Sequence, residues 1–485
     1  MKVEENTNLG LSPEMHRSTP LIKGRHIYLL LVIGVSVVAA TALLVAPDKY
    51  QLPLILAIPA MVIGIYILKN PYFGIYLFFL YDTLRPYDFI YALQPLQLAI
   101  IIEGLTFLSW IIYLLRNKNK LNWHVFNWPF LGFLGLIGLS VFTAENNRLA
   151  YDIFIIMTVS FVMFIVATNT VDSTKRLEKL IWLFLMIHLY FAIRGIYNYY
   201  FGEPLPDGQR TSGIVGSSFL SDENDFALVI NVLIPMTFFM FIALKKKFLK
   251  IFTGGLLVVY VFAIISSFSR GGWVGFMAVI TYCILNSKKK LVSFTVVLML
   301  GLVLISVAPS EYWQEIETIS DTSESTADAR IRYWKAALLM FSDYPILGVG
   351  AGNGGIWLPD YISGTANPGT EWGRAFHGTI PQILAELGTL GFICYVLMAY
   401  YAVKGLLKIR KRRATGKNNI SRSVIANGLL GGIIAYFVTA TFISTVYYPQ
   451  LWMLYTLAII LIHIDRAESE NVLEVPIEPE PKKIS

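Results

Sequence analysis

Residues 225–272 read DFALVINVLIPMTFFMFIALKKKFLKIFTGGLLVVYVFAIISSFSRGG. Two apolar runs of about 20 residues, the length that crosses a bilayer core, flank a basic cluster of Lys245, Lys246, Lys247 and Lys250. The second run ends in Ser269-Arg270-Gly271-Gly272, and a third begins with almost no loop between them. Lysine and arginine are retained on the cytoplasmic side of short loops. The stretch is therefore a hairpin of membrane-spanning helices with its lysines inside and Arg270 at the opposite surface.

The pattern repeats outward in both directions. Apolar runs cover roughly 27–46, 52–68, 72–84, 96–115, 125–143, 151–170, 177–200, 225–244, 249–268, 271–286, 291–309, 380–403, 424–445 and 449–464, about fourteen spans by length. Further basic clusters lie at Arg116–Lys120, Lys175–Arg176, Lys288–Lys290 and Lys404–Arg413. Alternating the spans puts every cluster on the cytoplasmic side, together with both termini. Composition agrees: 55% of the 485 residues are hydrophobic, and the 15% charged falls well short of the roughly 25% of soluble domains. The expected fold class is an all-α polytopic membrane protein with one large periplasmic loop of short helices. Residues 1–26 form a cytoplasmic tail, 27–200 an N-terminal set of transmembrane helices, and 201–464 a second membrane region containing the loop 310–379. Residues 465–485, rich in Glu and Pro, form a disordered cytoplasmic tail. The run 27–46 is too long for the core of a cleaved signal, about 7–15 residues, and reads as a retained helix.

The net charge of +7 sits between spans rather than on one soluble face, so no nucleic-acid footprint is present. Cys283 and Cys394 lie in apolar runs and have no metal-site spacing. HExxH, CxxC, Walker and GxSxG patterns are absent, and neither a metal nor a cofactor is expected.

Arg210, Arg270, Arg330, Arg332 and Arg374 fall on the outward side, against the usual bias of positive charge. Arginine there suits an anionic ligand such as a phosphate, held bidentately; the alternative is a set of solvated or snorkelling loop residues. The two glycines after Arg270 permit a tight turn and close backbone approach. The run from Gly348 to Gly355 is either a backbone anion nest or a packing loop. His377, at the end of the large loop, is the best base candidate, since imidazole titrates nearest neutrality; a structural role is the competing reading. Glu386 follows within the next span, and Glu103 is a second intramembrane carboxylate.

In order, these motifs are Arg210-x-x-Gly213, Ser269-Arg270-Gly271-Gly272, Arg330-x-x-x-Trp334-x-x-Ala337, Pro345-x-x-Gly348-x-Gly350, and His377 followed by Glu386-x-Gly388. The set resembles the O-antigen ligase and polymerase superfamily of membrane glycosyltransferases, over roughly 205–445. One departure is Gly378, where the family commonly has Asn after the histidine. The resemblance implies metal-independent transfer of a glycan from an undecaprenyl-diphosphate carrier to an acceptor hydroxyl, at the periplasmic face of a bacterial inner membrane. The acceptor would be a lipid A–core sugar or another glycolipid or polysaccharide. Arg210 and Arg270 would hold the diphosphate, His377 would act as base or positioning group, and Arg330, Arg332, Arg374 and Glu386 would bind substrate. Polysaccharide polymerisation and protein O-glycosylation are alternatives within the superfamily. A lipid or polysaccharide transporter is the alternative from another class; it should show inverted repeats, which the sequence does not.

Overall fold

The computed structural model describes residues 48–117, 121–202, 220, 222–307, 325–363, 367–411 and 420–473. The expected first span at 27–46, Arg210 and the end of the C-terminal tail lie outside these residues. The chain divides into two compact units, Met1–Tyr66 and Ile67–Ser485. The described part of the first is the beginning of an apolar helix, α1 (Asp48–Lys69).

The helices of the second unit are α2 (Pro71–Leu84), α3 (Pro86–Phe89), α4 (Leu98–Asn117), α5 (Asn127–Thr143), α6 (Asn147–Thr170), α7 (Thr174–Phe201), α8 (Glu223–Ala243), α9 (Lys247–Ser267), α10 (Arg270–Asn286) and α11 (Lys290–Val307). They continue as α12 (Ser325–Asp343), α13 (Gly354–Tyr361), α14 (Thr379–Lys411), α15 (Arg422–Thr439) and α16 (Pro449–Leu473), with short 3-10 turns at Tyr91–Leu96, Pro368–Glu371 and Ala440–Phe442. No strand occurs among the described residues. Seven of these helices are long and apolar enough to cross a membrane: α4, α6, α7, α8, α9, α14, and α15 with its extension to Phe442.

Helix α8 is apolar around its whole circumference, and such a helix belongs in an interior. It is buried along nearly its full length and packs against α9, α10 and α15. Small residues let the backbones approach: a Cβ on Gly428 or Gly431 of α15 would collide with Met236 or Pro235 of α8. The same reasoning revises the Ser-Arg-Gly-Gly motif. Gly271 and Gly272 lie in the first turn of α10, not in the connection, and added Cβ atoms would press on Phe442 and Ala227. The left-handed residue of the connection is Phe268, at φ 54°.

Helix α16 runs to Leu473, past the expected start of the tail at 465. Arg422 bridges Asp465 at 3.1 Å and Glu468 at 2.9 Å, and Arg466 pairs with Glu470 one turn on. The first two pairs hold α16 against α15 and the last is a local one-turn pair; together they support a helix that composition alone does not favour.

Between α11 and α14 the described residues form a small cap with its own core. Tyr333, Ala337 and Met340 of α12, Leu358 of α13, Phe376 of the segment before α14, and Ala385 of α14 pack together there.

Helix α14 is broken at Gly388 (φ 60°, ψ −159°). A break deprives four backbone groups of their helical partners, and these must be satisfied elsewhere. The segment Pro345–Gly350 supplies all four. Val349 and Gly350 N–H donate to the carbonyls of Ala385 and Glu386 (both 2.9 Å), while Thr389 and Leu390 N–H donate to Pro345 and Ile346 carbonyls (2.8 and 3.3 Å). The glycine-rich run is a splint in the kink.

Candidate active site

The splint settles what the glycine run binds. Gly352 N–H donates to Glu386 Oε2 at 3.0 Å, Gly354 N–H also donates to this carboxyl, and the Tyr447 hydroxyl donates to Oε2 at 2.7 Å. Burial next to Glu386 pushes the Tyr447 phenol well above its usual range, so it remains a donor. The anion nest anticipated in the sequence is filled by the protein's own carboxyl group. Ala351 N–H donates to Ser140 Oγ (3.2 Å), and Asn353 exchanges hydrogen bonds with the backbone of Asn146, which ties the loop to α5 and α6. Glu386 thus locks the cap onto the kink of α14.

From the kink, the first part of α14 runs back to His377. This residue is left-handed, at φ 52°, a conformation that costs a non-glycine residue on the order of 1–3 kcal/mol and marks sites where the surroundings over-determine the backbone. Trp334 Nε1 donates to the His377 carbonyl at 3.2 Å. The same indole explains Gly378, because a Cβ there would lie 2.7 Å from Trp334 Nε1.

Arg330, Tyr333 and Trp334 share one face of α12, being three and four residues apart. The Tyr333 ring stacks near the His377 imidazole, centroids 6.2 Å apart and planes 29° apart. The Tyr333 hydroxyl donates to Glu371 Oε2 at 2.7 Å, and Arg374 Nε lies 3.6 Å from the same oxygen. Burial lowers the His377 imidazole from its usual value; Arg330 lowers it further, Asp222 opposes, and Arg374 adds to the lowering. Among the described residues no hydrogen bond engages the ring itself. A neutral imidazole beside fixed cations can accept a proton near neutral pH.

Asp222 caps α8, accepting from Asn224 N–H (2.8 Å) and Asp225 N–H (3.3 Å). Ser269, which caps α10, donates to Asn224 Oδ1 at 2.6 Å. Tyr448 donates to Asp225 Oδ2 at 3.0 Å, and Thr379 at the start of α14 shares a 2.8 Å hydrogen bond with Thr445. The N-termini of α8, α10 and α14 are therefore stitched into one end of the bundle. Arg270 occupies the first turn of α10, and Glu223 and Asp225 occupy that of α8.

Of the residues singled out in the sequence, His377, Arg330 and Arg374 come together, and Arg270 follows Ser269, which is bonded to Asn224 two residues from Asp222. Arg332 does not: it points from another side of α12 and pairs with Asp328 one turn away. Glu103 lies on α4, facing Asp82 of α2 instead of this cluster. The sequence reading missed Tyr333, Glu371 and Tyr447. Tyr333 alone carried a signal, its place one turn from Arg330.

A bundle of long apolar helices, with Arg330 and Arg374 beside His377 at one end, defines a multi-pass membrane protein. Residues 255–396 match the family model Wzy_C, O-antigen ligase, and the match supports the O-antigen ligase/polymerase family of membrane enzymes for this chain. It runs from α9 into α14 and contains Arg270, Arg330, Arg374, His377 and Glu386, but not 203–219. No curated protein matches the chain.

Proposed function

We propose that the chain transfers a glycan from undecaprenyl diphosphate to an acceptor hydroxyl at the periplasmic face of a bacterial inner membrane, within a topology of about fourteen spans. The observation that carries this reading is the cluster of His377, Arg330 and Arg374 over the joined N-termini of α8 and α10, at the end of the bundle that carries the cap.

The acceptor oxygen attacks the anomeric carbon, and its proton passes to the His377 imidazole. The bond from that carbon to the bridging phosphate oxygen breaks, and undecaprenyl diphosphate leaves with the electron pair. Negative charge grows on the departing diphosphate, where Arg270 and the helix N-termini lie in surroundings that screen charge poorly. Arg330 and Arg374 keep the imidazole neutral before the reaction. The cap excludes water that would otherwise hydrolyse the donor. Arg210 is a further diphosphate ligand in this scheme.

The test is transfer by the purified chain from a defined lipid-linked glycan. Product released from the carrier onto a glycolipid identifies a ligase, and longer chains still on the carrier identify a polymerase. Absence of either product, with donor bound and intact, would overturn the proposal.

A further inference from the structure

Soluble proteins bury large apolar side chains, so a contiguous exposed apolar strip marks a surface with a partner. Such a strip runs along the side of α12 opposite Tyr333. Leu338 is 50% exposed, Leu339 52% and Ile346, in the splint, 63%, with Ile331, Tyr344 and Leu347 beside them. The buried side of the same helix holds Tyr333, Ala336, Ala337 and Met340. Helix α12 is amphipathic with both an internal and an external apolar stripe.

The strip continues onto α14. Leu390 N–H donates to the Ile346 carbonyl at 3.3 Å, and Leu390, Ile393 and Leu397 form an exposed apolar face below that bond. From Gly388 to Lys404, the first residue of its basic end, α14 rises roughly 24 Å, most of a hydrocarbon core of about 30 Å. The kink therefore lies close to the membrane boundary on the cap side. The α12 strip, joined to it at Ile346, lies at that boundary. Lys335, exposed on the same side of α12, has the reach to carry its ammonium to the headgroups while its stem stays among apolar groups.

We infer that the exposed strip of α12 is seated in the lipid bilayer at the membrane interface, as a surface-lying helix continuous with the lipid face of α14. Its opposite side carries Arg330, Tyr333 and Trp334, so the seat fixes the height of the His377 cluster at the level of lipid headgroups. An amphipathic helix held this way draws its binding from buried apolar area. The placement does not depend on the transfer reaction: a chain that failed every transfer assay would still show it.

The test uses the full chain in nanodiscs holding one copy each, with Cys283 and Cys394 replaced by Ala and single cysteines labelled with an environment-sensitive fluorophore. Nitroxide-bearing phospholipids are the quencher. Ile393→Cys reports lipid, and Asp360→Cys, at an exposed position of α13, reports water. Leu338→Cys, Leu339→Cys and Ile346→Cys should lose as much fluorescence as Ile393→Cys. Losses no greater than at Asp360→Cys would overturn the inference. So would cysteine-to-cysteine cross-linking at 338 between copies in detergent without lipid quenching, which would make the strip an interface between chains.

Discussion

Replacing Gly388 by alanine should unfasten the cap from the membrane helices. The residue sits at φ 60°, ψ −159°, a region reached essentially by glycine alone, and forcing another residue there costs on the order of 1–3 kcal/mol. The new Cβ would lie 2.5 Å from both the carbonyl carbon and oxygen of Ile346 and 2.8 Å from Leu347 N. These are backbone atoms, so no rotamer change relieves the contact and segment 345–347 must withdraw. That withdrawal breaks the Thr389–Pro345 and Leu390–Ile346 hydrogen bonds, each worth about 0.5–1.5 kcal/mol net. The total loss is about 2–6 kcal/mol. Gly135→Ala is the control: it lies on the exposed side of α5 with nothing within 4 Å of an added Cβ, and it exchanges a poor helix former for the best one. Denaturant unfolding in mixed micelles, followed by tryptophan fluorescence, measures both. Gly388→Ala should unfold at clearly lower denaturant and lose transfer, while Gly135→Ala should match or exceed wild type. Equal midpoints for the two variants would show that the splint does not hold the kink.

His377 as base must be neutral to react, and its burial beside Arg330 lowers its proton affinity, so transfer should be flat through neutral pH and fall only on the acid side. That acid limb should vanish in His377→Ala, and His377→Gln should recover little; full activity in His377→Gln would make the residue a positioning group. Arg330→Gln removes one cause of the lowering, so its acid limb should move to higher pH in the same rate–pH profiles, and an unmoved limb would separate Arg330 from His377. Arg270→Ala should cut transfer by about 10²-fold or more if it stabilises the leaving diphosphate, with Arg270→Lys a poor substitute for a bidentate contact; wild-type turnover in Arg270→Ala would remove it from the site. Among the described residues no three His, Cys, Asp or Glu side chains gather as a metal-binding group, so transfer should survive EDTA, and loss restored by Mg²⁺ would point to a different chemistry.

The membrane helices were legible because spanning length and apolar content are properties of single segments. Arg330, Arg374 and His377, read from the sequence as cations and an imidazole of one loop, lie together in the structure. What escaped depended on pairings far apart in the chain. Glu386 looked like a substrate ligand because nothing local shows that Gly352 and Tyr447 turn toward it. The two glycines of the Ser-Arg-Gly-Gly motif looked like turn residues, yet their use is interhelical, toward Ala227 and Phe442. Arg332 is the opposite case. Its partner Asp328 stands four residues earlier, so the pairing rule for helices could have withdrawn it from the anion-binding set.

Glu386 and Gly388 belong to a single device that acts on His377 at a distance. The stretch from Thr379 to Leu387 is helical and therefore stiff, so the angle set at Gly388 is transmitted to its far end, where Thr379 is pinned to Ile443 and Thr445. His377 lies just beyond that pin, held by Trp334 from above. Two independent anchors, the kink with its splint and the Trp334 indole, thus fix both ends of the arm that carries the imidazole. A left-handed histidine is sustainable only under such double restraint. Removing one anchor should lower transfer without altering the proton affinity set by Arg330 and burial. Trp334→Phe is the discriminating variant, since it keeps an aromatic ring on α12 and removes the Nε1–H donor to His377. Its rate should drop while the acid limb stays where wild type has it. A displaced limb would mean that Trp334 shapes the electrostatics of the imidazole and not its position.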